Sequence, residues 1–242
     1  MDTGLNQGHL TDGYSLFKSS ALMAYPFLPS PPTTMPLTNI SFSDLVIGLP
    51  MQLNDDYYLA YNGIYNGRAV VIFQLNPASK YRLRYTTAEE RFPELQVFEK
   101  IPKHPNLINV LGKAETHEDV YIVAEYFSFF TLKDVNLSRL STKELNFVAR
   151  RVCAALAALH EVGIVHCDVG MCNILVDRNM NPLIFDFRMA RFESSLARVS
   201  FGPIKSMSPE QLTKSQHTAK SDVWQFGIFL LELYGFADPY PY

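Results

Sequence analysis

Residues 166–177 read HCDVGMCNILVD, and the fold is assigned from this stretch outward. Three shorter motifs follow it along the chain. Asp186-Phe187-Arg188 comes first, Ser208-Pro209-Glu210 comes next, and SDVWQFG begins at Ser221. Four motifs in this one order are not expected by chance, so the fold is assigned from them.

The four motifs together resemble those of the protein kinases. The first is similar to the catalytic loop H-R-D-L-x-x-x-N, and the others are similar to D-F-G, to A-P-E and to a buried helix of that family. Two further stretches, PIKSMSPE from Pro203 and YIVAEYF from Tyr121, favour the tyrosine-kinase or tyrosine-kinase-like branch. The resemblance covers residues 42–242 and implies an α+β fold of two lobes. The N-lobe should be a small antiparallel β-sheet with one helix, and the C-lobe should be mainly helical.

We expect three parts in the chain. Residues 1–40 combine polar residues with a proline cluster, which predicts a flexible leader that is either a linker or a docking segment for an SH3-like or WW-like domain. Residues 41–127 should form the kinase-like N-lobe and hinge, and residues 128–242 a partial C-lobe. The family continues with several helices after the one at Ser221. We therefore expect a fold truncated after that helix, or a second chain that covers it.

Local patterns predict individual strands and helices. Ser141 and Glu144 form a capping box before a long amphipathic pattern, which predicts a helix. Another helix should begin near Thr87 or at Pro93. The turn signal Asn66-Gly67 predicts an antiparallel hairpin. The predicted strands are 57–61, 69–75, 107–111 and 120–126.

The catalytic half of the kinase machinery is present by resemblance. Kinase chemistry needs groups that hold metal and orient the substrate hydroxyl, and groups that neutralise the phosphates. Asp168 matches the base that accepts the hydroxyl proton, while Asn173 and Asp186 match ligands of Mg²⁺. These are the predicted catalytic and metal-binding positions. Alternatively, they are retained because they hydrogen-bond the backbone of their own loop.

The phosphate-binding half departs from the family. The V-A-I-K motif aligns with residues 70–73, so Phe73 stands where the family has a lysine. No glycine lies between Gly48 and Gly63, where a glycine-rich loop should cover the phosphates. Gly170 and Cys172 occupy positions where related kinases carry a cation. Loss of preorganised positive charge predicts severely impaired phosphoryl transfer.

Three other departures fall near the predicted site. Arg188 replaces the glycine of D-F-G, and it either pairs with Asp186 in place of Mg²⁺ or lies exposed to solvent. Cys167 replaces an arginine that in many kinases reads a phosphorylated activation loop. Glu94 is the expected glutamate of the N-lobe helix, although Pro93 precedes it and its lysine partner is absent.

The resemblance also implies an ATP pocket and the cofactors ATP and Mg²⁺, whose binding we expect to be weak or absent. Ala124 stands at the gatekeeper position, which should leave a back pocket open unless an aromatic side chain such as Phe73 fills it. An apolar core with no ligand is the alternative. The predicted pocket residues are Ala60, Val71, Phe73, Ala124, Glu125, Phe127 and Leu175.

Composition narrows the class of function. A formal net charge of −3 and the lack of any Lys/Arg run give no reason to expect a nucleic acid or membrane partner. Three cysteines without framework spacing indicate a reducing, intracellular compartment, the cytoplasm. We therefore predict a pseudokinase, an allosteric or scaffolding signalling module that binds protein partners. The alternatives are a weakly active ATP- and Mg-dependent kinase, of tyrosine or serine/threonine type, and a truncated non-functional fragment.

Overall fold

The structure is a computed structural model that describes residues 37–51, 57–76, 78, 94–127, 130–194, 204–214 and 216–236. These residues belong to one compact unit. A β-sheet forms the first part of the unit, and helices dominate the second. No helix in the described ranges is long and apolar enough to cross a bilayer. Residues 1–36 of the predicted leader lie outside these ranges. Its last residues, Thr38–Ile40, form a strand of the sheet, so the predicted boundary at residue 40 was wrong.

Six strands of the described residues form one sheet: β1 (Thr38–Ile40), β2 (Leu45–Met51), β3 (Tyr58–Tyr65), β4 (Arg68–Leu75), β5 (Val110–Glu115) and β6 (Val120–Glu125). Their order in the sheet is β1-β5-β6-β4-β3-β2. All neighbouring strands are antiparallel except β1, which pairs with β5 in parallel. The predicted antiparallel sheet therefore carries one parallel strand at its edge.

The predicted hairpin is confirmed. Tyr65 faces Arg68 across the end of the β3–β4 pair, and Asn66 and Gly67 make the turn between them. Asn66 has φ 50° and Gly67 has φ 71°. Positive φ at both central residues is what a type I′ turn requires, and Asn-Gly is the pair that adopts it most readily. The turn fixes the register that brings Ala60 opposite Phe73.

One predicted strand boundary was wrong. The strand expected from Leu107 begins at Val110, and Leu107 instead forms an isolated parallel bridge with Ile184 of the C-lobe. A short apolar run does not reveal which neighbour will bury it, and Leu107 is buried against the C-lobe. In the described part of the N-lobe, α1 (Leu95–Phe98) is a helix of four residues. Thr87 and Pro93, the two predicted starts of the N-lobe helix, lie outside the described residues.

The predicted C-lobe helix is confirmed as α2 (Thr142–Glu161). The Ser141 amide donates to Glu144 Oε2 at 2.8 Å and the Glu144 amide donates to Ser141 Oγ at 3.3 Å, which completes the capping box. Two more helices follow, α3 (Pro209–Lys214) and α4 (Ala219–Leu233). The short C-lobe strands are β7 (Ile164–Val165), β8 (Ile174–Val176), β9 (Pro182–Ile184) and β10 (Arg191–Phe192).

One hydrophobic core runs through both parts of the unit. It joins inner-face side chains of the sheet, such as Val71, to α2 side chains such as Val152 and to Phe187. The outer face of the sheet has a second, smaller core that includes Ile40 and Val70. The continuous core fixes the position of the sheet above the loop at residues 166–177, and the candidate site lies between them.

Candidate active site

Helix α4 holds the loop that contains the predicted catalytic residues. The Asp222 carboxylate accepts hydrogen bonds from the backbone amides of His166 and Cys167, each at 2.8 Å. His160 Nε2 of α2 lies 2.8 Å from the same carboxylate. Asp222 has no exposed side-chain surface. Its three polar partners offset the free-energy cost of burying the carboxylate. This anchor joins α2, α4 and the loop.

Gln225, one turn further along α4, makes two more bonds to the loop. Its side chain accepts from the Val169 amide at 2.9 Å and donates to the Cys167 carbonyl at 2.9 Å. Cys167 has φ 67°, a left-handed conformation that costs free energy in a residue other than glycine. The bonds on both sides of Cys167 stabilise this conformation. Neither Asp222 nor Gln225 was predicted to have a role, although the SDVWQFG motif contains both.

The structure brings Asp168 and Asn173 together. Asn173 Nδ2 donates to the Asp168 carbonyl and to Asp168 Oδ2, both at 2.8 Å. The Asp168 amide donates to His166 Nδ1 at 3.3 Å. Burial raises the pKa of the Asp168 carboxyl. These contacts preserve the geometry of a catalytic base, and they also satisfy the loop's own polar groups, so they are compatible with both interpretations of the pair.

Asp186 is paired with Arg188. Arg188 Nε donates to Asp186 Oδ1 at 2.7 Å, and Arg188 Nη2 forms an ion pair with Asp186 Oδ2. The Asp186 side chain is 12% exposed and the Arg188 side chain 25% exposed. The predicted internal ion pair is therefore confirmed, and the alternative of a solvent-exposed arginine was wrong. Both carboxylate oxygens are engaged in a bidentate contact.

The Arg188 side chain also reaches the beginning of β3. Its guanidinium carbon lies 5.4 Å from the ring centre of Tyr57 and 5.4 Å from that of Tyr58. A guanidinium within about 6 Å of an aromatic ring centre is attracted by the negative face of the ring. Arg188 therefore connects the Asp186 loop of the C-lobe to the sheet.

Glu94 points into the site, where Tyr58 is its partner. The Tyr58 hydroxyl donates to Glu94 Oε1, and Glu94 Oε2 has no hydrogen-bond partner among the described residues. Glu94 is 3% exposed, and burial raises the pKa of its carboxyl to about 7. Burial also raises the pKa of the Tyr58 hydroxyl, and the nearby Glu94 charge adds to this effect. Tyr58 was not predicted from the sequence, because no motif identifies the residue that pairs with Glu94 when the family's lysine is absent.

Phe73 lies at the family's lysine position with 9% of its surface exposed. Its ring centre is 6.4 Å from that of Tyr58 and 6.2 Å from that of Phe127. Glu125 is exposed, and its amide donates to the Asn109 carbonyl at 2.9 Å. The other predicted pocket residues are each at most 1% exposed: Ala60, Val71, Ala124 and Leu175. The protein's own side chains therefore cover the predicted adenine site.

A small cavity of about 30 Å³ remains behind Phe73. Phe73 forms part of its wall, so the back pocket expected from Ala124 is reduced to this space. The lining residues are Tyr58, Phe73, Glu94, Phe98, Ile108, Ile122, Phe185, Asp186 and Phe187.

Phe187 links the N-lobe helix to the catalytic loop. It is 1% exposed, with ring centres 5.8 Å from Phe98 of α1 and 4.9 Å from His166. His166 Nε2 lies 3.2 Å from the Phe185 carbonyl. These edge-to-face ring contacts connect α1, through the Asp186 loop, to the loop that Asp222 anchors.

Gly170 and Cys172, the positions where related kinases carry a cation, supply no positive charge. Gly170 has no side chain, and Cys172 is exposed. The Cys172 sulfur is nevertheless partly buried, which raises the pKa of its thiol, and a thiol carries no positive charge in either protonation state. Arg68 stands five residues before Phe73 on β4, about 16 Å along the strand. It is therefore too distant to replace the missing lysine.

The chain matches a protein family and is similar to several curated proteins. The protein kinase domain family matches residues 66–242. Tyrosine-protein kinase csk-1 of Caenorhabditis elegans is 36% identical over 146 residues, which are 57% of this chain and 27% of that protein. The tyrosine-protein kinase transforming protein Abl of Abelson murine leukemia virus is 32% identical over 163 residues, 63% of this chain and 22% of that protein.

A further relative is a probable serine/threonine-protein kinase of Dictyostelium discoideum. It is 28% identical over 199 residues, which are 80% of this chain and 21% of that protein. The aligned parts thus amount to about a quarter or less of the length of these three curated relatives.

Proposed function

Because the chain belongs to the protein kinase family and has tyrosine-protein kinases among its relatives, we propose that it is a pseudokinase. Kinase domains in general use ATP and Mg²⁺. This domain binds them weakly or not at all and serves as an allosteric or scaffolding module for a protein partner. The observation that carries the proposal is the bidentate pairing of Asp186 with Arg188 beside a site where Phe73 replaces lysine.

The phosphate side of the site supports this proposal. A phosphate placed beside Phe73 would lose water and gain no donor, and a charge-assisted hydrogen bond of the missing kind is worth about 1.5–3 kcal/mol. Phe73 also lies against Phe127 and Tyr58, so a nucleotide would have to displace packed aromatic rings. ATP does not fit the side chains as they lie.

The metal side of the site supports the same proposal. Mg²⁺ needs carboxylate oxygens in a demanding octahedral geometry. Both oxygens of Asp186 are engaged by Arg188, whose positive charge would repel a metal ion. A metal would have to break this pair before it could bind, so Mg²⁺ does not fit the present arrangement either.

The remaining structure is ordered as a binding module requires. Asp222 and Gln225 hold the catalytic loop, and Phe187 connects that loop to α1. These contacts need no nucleotide, so the domain can present a fixed surface to a partner without one. We propose that the partner is a protein and that neither nucleic acid nor membrane is bound. We also propose an intracellular, cytoplasmic location.

A weakly active kinase is the second candidate function. The hydrogen bonds between Asn173 and Asp168 favour it, because they keep the catalytic base in place. Such an enzyme would need another cation for the phosphates, and Arg188 is already paired with Asp186. The third interpretation, a non-functional fragment, predicts no cooperative unfolding.

A phosphotransfer assay separates these candidates. The wild type and Asp168→Asn are incubated with ATP, Mg²⁺ and either a tyrosine-containing or a serine-containing peptide. We expect no transfer from either protein. Transfer by the wild type that Asp168→Asn abolishes would establish the weakly active kinase and overturn the pseudokinase.

A further inference from the structure

We infer that Arg188 and Tyr58 form an internal strut that takes over the structural role of nucleotide and metal and holds the Asp186 loop, the sheet and α1 in one arrangement. The inference rests on the proposed function and extends it, because it states what holds the Asp186 loop, the sheet and α1 together without nucleotide or metal. Arg188 and Tyr58 are positioning residues, since Arg188 orients Asp186 and Tyr58 orients Glu94.

The lower end of the strut is the ion pair on the Asp186 loop. Arg188 Nε and Nη2 each contact a different oxygen of Asp186. A bidentate pair restricts the guanidinium to one plane, so its direction is set as well as its position. The pair is mostly shielded from solvent, with exposures of 25% for Arg188 and 12% for Asp186. This shielding limits screening by salt.

The upper end of the strut reaches the sheet and α1. From Asp186, the guanidinium extends to the rings of Tyr57 and Tyr58, 5.4 Å from each ring centre. The Tyr58 hydroxyl then donates to Glu94, the residue that precedes α1. A continuous series of polar contacts therefore runs from the C-lobe loop through β3 to the start of α1.

Helix α1 depends on such contacts because it is short. Four residues, Leu95–Phe98, make one turn, and isolated helices of that length are unstable in water. Packing of Phe98 on Phe187 holds one side of the turn. The bond from Tyr58 to Glu94 holds its beginning. Loss of the strut should therefore loosen α1 while the C-lobe helices remain folded.

Hydrogen–deuterium exchange on the full 242-residue chain tests this inference. Two variants cut the strut at different points: Arg188→Gly removes the ion pair, and Tyr58→Phe removes only the hydroxyl. We expect amide exchange in residues 94–101 to rise about tenfold in each, which corresponds to about 1.4 kcal/mol of local stability. Exchange in α2 should stay unchanged. Arg178→Ala, at an exposed arginine in a turn, is the matched control and should change neither segment.

The outcomes separate the strut from the proposed function. Unchanged exchange at residues 94–101 in both variants, with no phosphotransfer by the wild type, would overturn the strut and leave the pseudokinase standing. Phosphotransfer by the wild type would overturn the pseudokinase. If Arg188→Gly fails to fold, as shown by loss of protection in α2, Tyr58→Phe decides the result, because it keeps the aromatic ring and the ion pair.

A gain of metal binding is the second readout. If Arg188 only packed against its neighbours, its removal would not strengthen metal binding at Asp186. Removal of the guanidinium leaves Asp186 Oδ2 without its ion-pair partner. Mn²⁺ is titrated without nucleotide, and paramagnetic broadening of NMR signals from the Asp186 loop is followed. We expect broadening in Arg188→Gly at concentrations at least tenfold lower than in the wild type. Equal broadening in the two proteins would contradict a role for Arg188 in place of the metal.

Discussion

Phe73 and Phe127 stack with ring centres 6.2 Å apart and an interplanar angle of 27°. The first ring stands at the family's lysine position and the second follows β6 in the hinge. Tyr58 extends this aromatic packing, with its ring centre 6.4 Å from that of Phe73. The loss of the lysine is therefore accompanied by an aromatic packing arrangement that has its own stability.

Replacement of Phe73 measures that stability. Phe73→Ala should lower the free energy of unfolding by about 3–5 kcal/mol, because a buried aromatic ring is lost and a cavity remains. Urea denaturation gives the value. Phe130→Ala is the matched control, since Phe130 is 69% exposed and its loss should change stability by no more than about 0.5 kcal/mol. Similar small losses in the two variants would mean that Phe73 is not part of a packed core.

Asp222 should be a major support of the catalytic loop. In Asp222→Asn one of the two loop amides loses its acceptor and faces an amide donor instead, which should cost about 1–3 kcal/mol. Urea denaturation combined with amide exchange at residues 166–169 checks this expectation. Asp44→Asn, at an exposed aspartate, should leave both unchanged. Undiminished protection of the loop in Asp222→Asn would show that the loop does not need both oxygens of Asp222.

Glu94 predicts a specific dependence of stability on pH. Its pKa is about 7 when folded and 4.5 in the unfolded reference, so the folded state binds the proton more tightly. The free energy of unfolding should therefore fall as pH rises from 4.5 to 7, by up to about 1.4 kcal/mol per pH unit, and level off above 7. Urea denaturation at pH 5, 6, 7 and 8 follows this slope.

Glu94→Gln is the control for that pH dependence. The amide does not titrate, so the component due to Glu94 should disappear and the stability difference between variant and wild type should shift in favour of the variant as pH rises. Tyr58, Asp186 and Arg188 also face this carboxyl, and they remain in both proteins. Parallel pH profiles for the two proteins would contradict the raised pKa.

Several features followed directly from the sequence because their signals are local. Asn66-Gly67 determined the hairpin turn, and Ser141 with Glu144 determined the start of α2. The four ordered motifs identified the family, which the protein kinase domain match confirms, and the tyrosine-kinase relatives support the branch. Each of these signals lies within a few residues of the structure it specifies.

Other features depend on contacts between distant residues. Tyr58 and Glu94 are 36 positions apart, and nothing in either local pattern announces their hydrogen bond. The parallel pairing of β1 with β5 likewise needs Gly112, where a Cβ atom would overlap the Thr38 carbonyl oxygen. For Arg188 the sequence left pairing and exposure equally open, because only the folded chain places its guanidinium against Asp186.

Thermal denaturation with and without Mg²⁺ and ATP is the sharpest test of whether the domain is a pseudokinase. A ligand at 100 times its Kd stabilises the folded state by about 2.7 kcal/mol, which raises Tm by several degrees in a domain of this size. The pseudokinase predicts a cooperative transition in the wild type whose Tm does not change with 1 mM ATP and Mg²⁺. A rise in Tm that requires both ATP and the metal would contradict it.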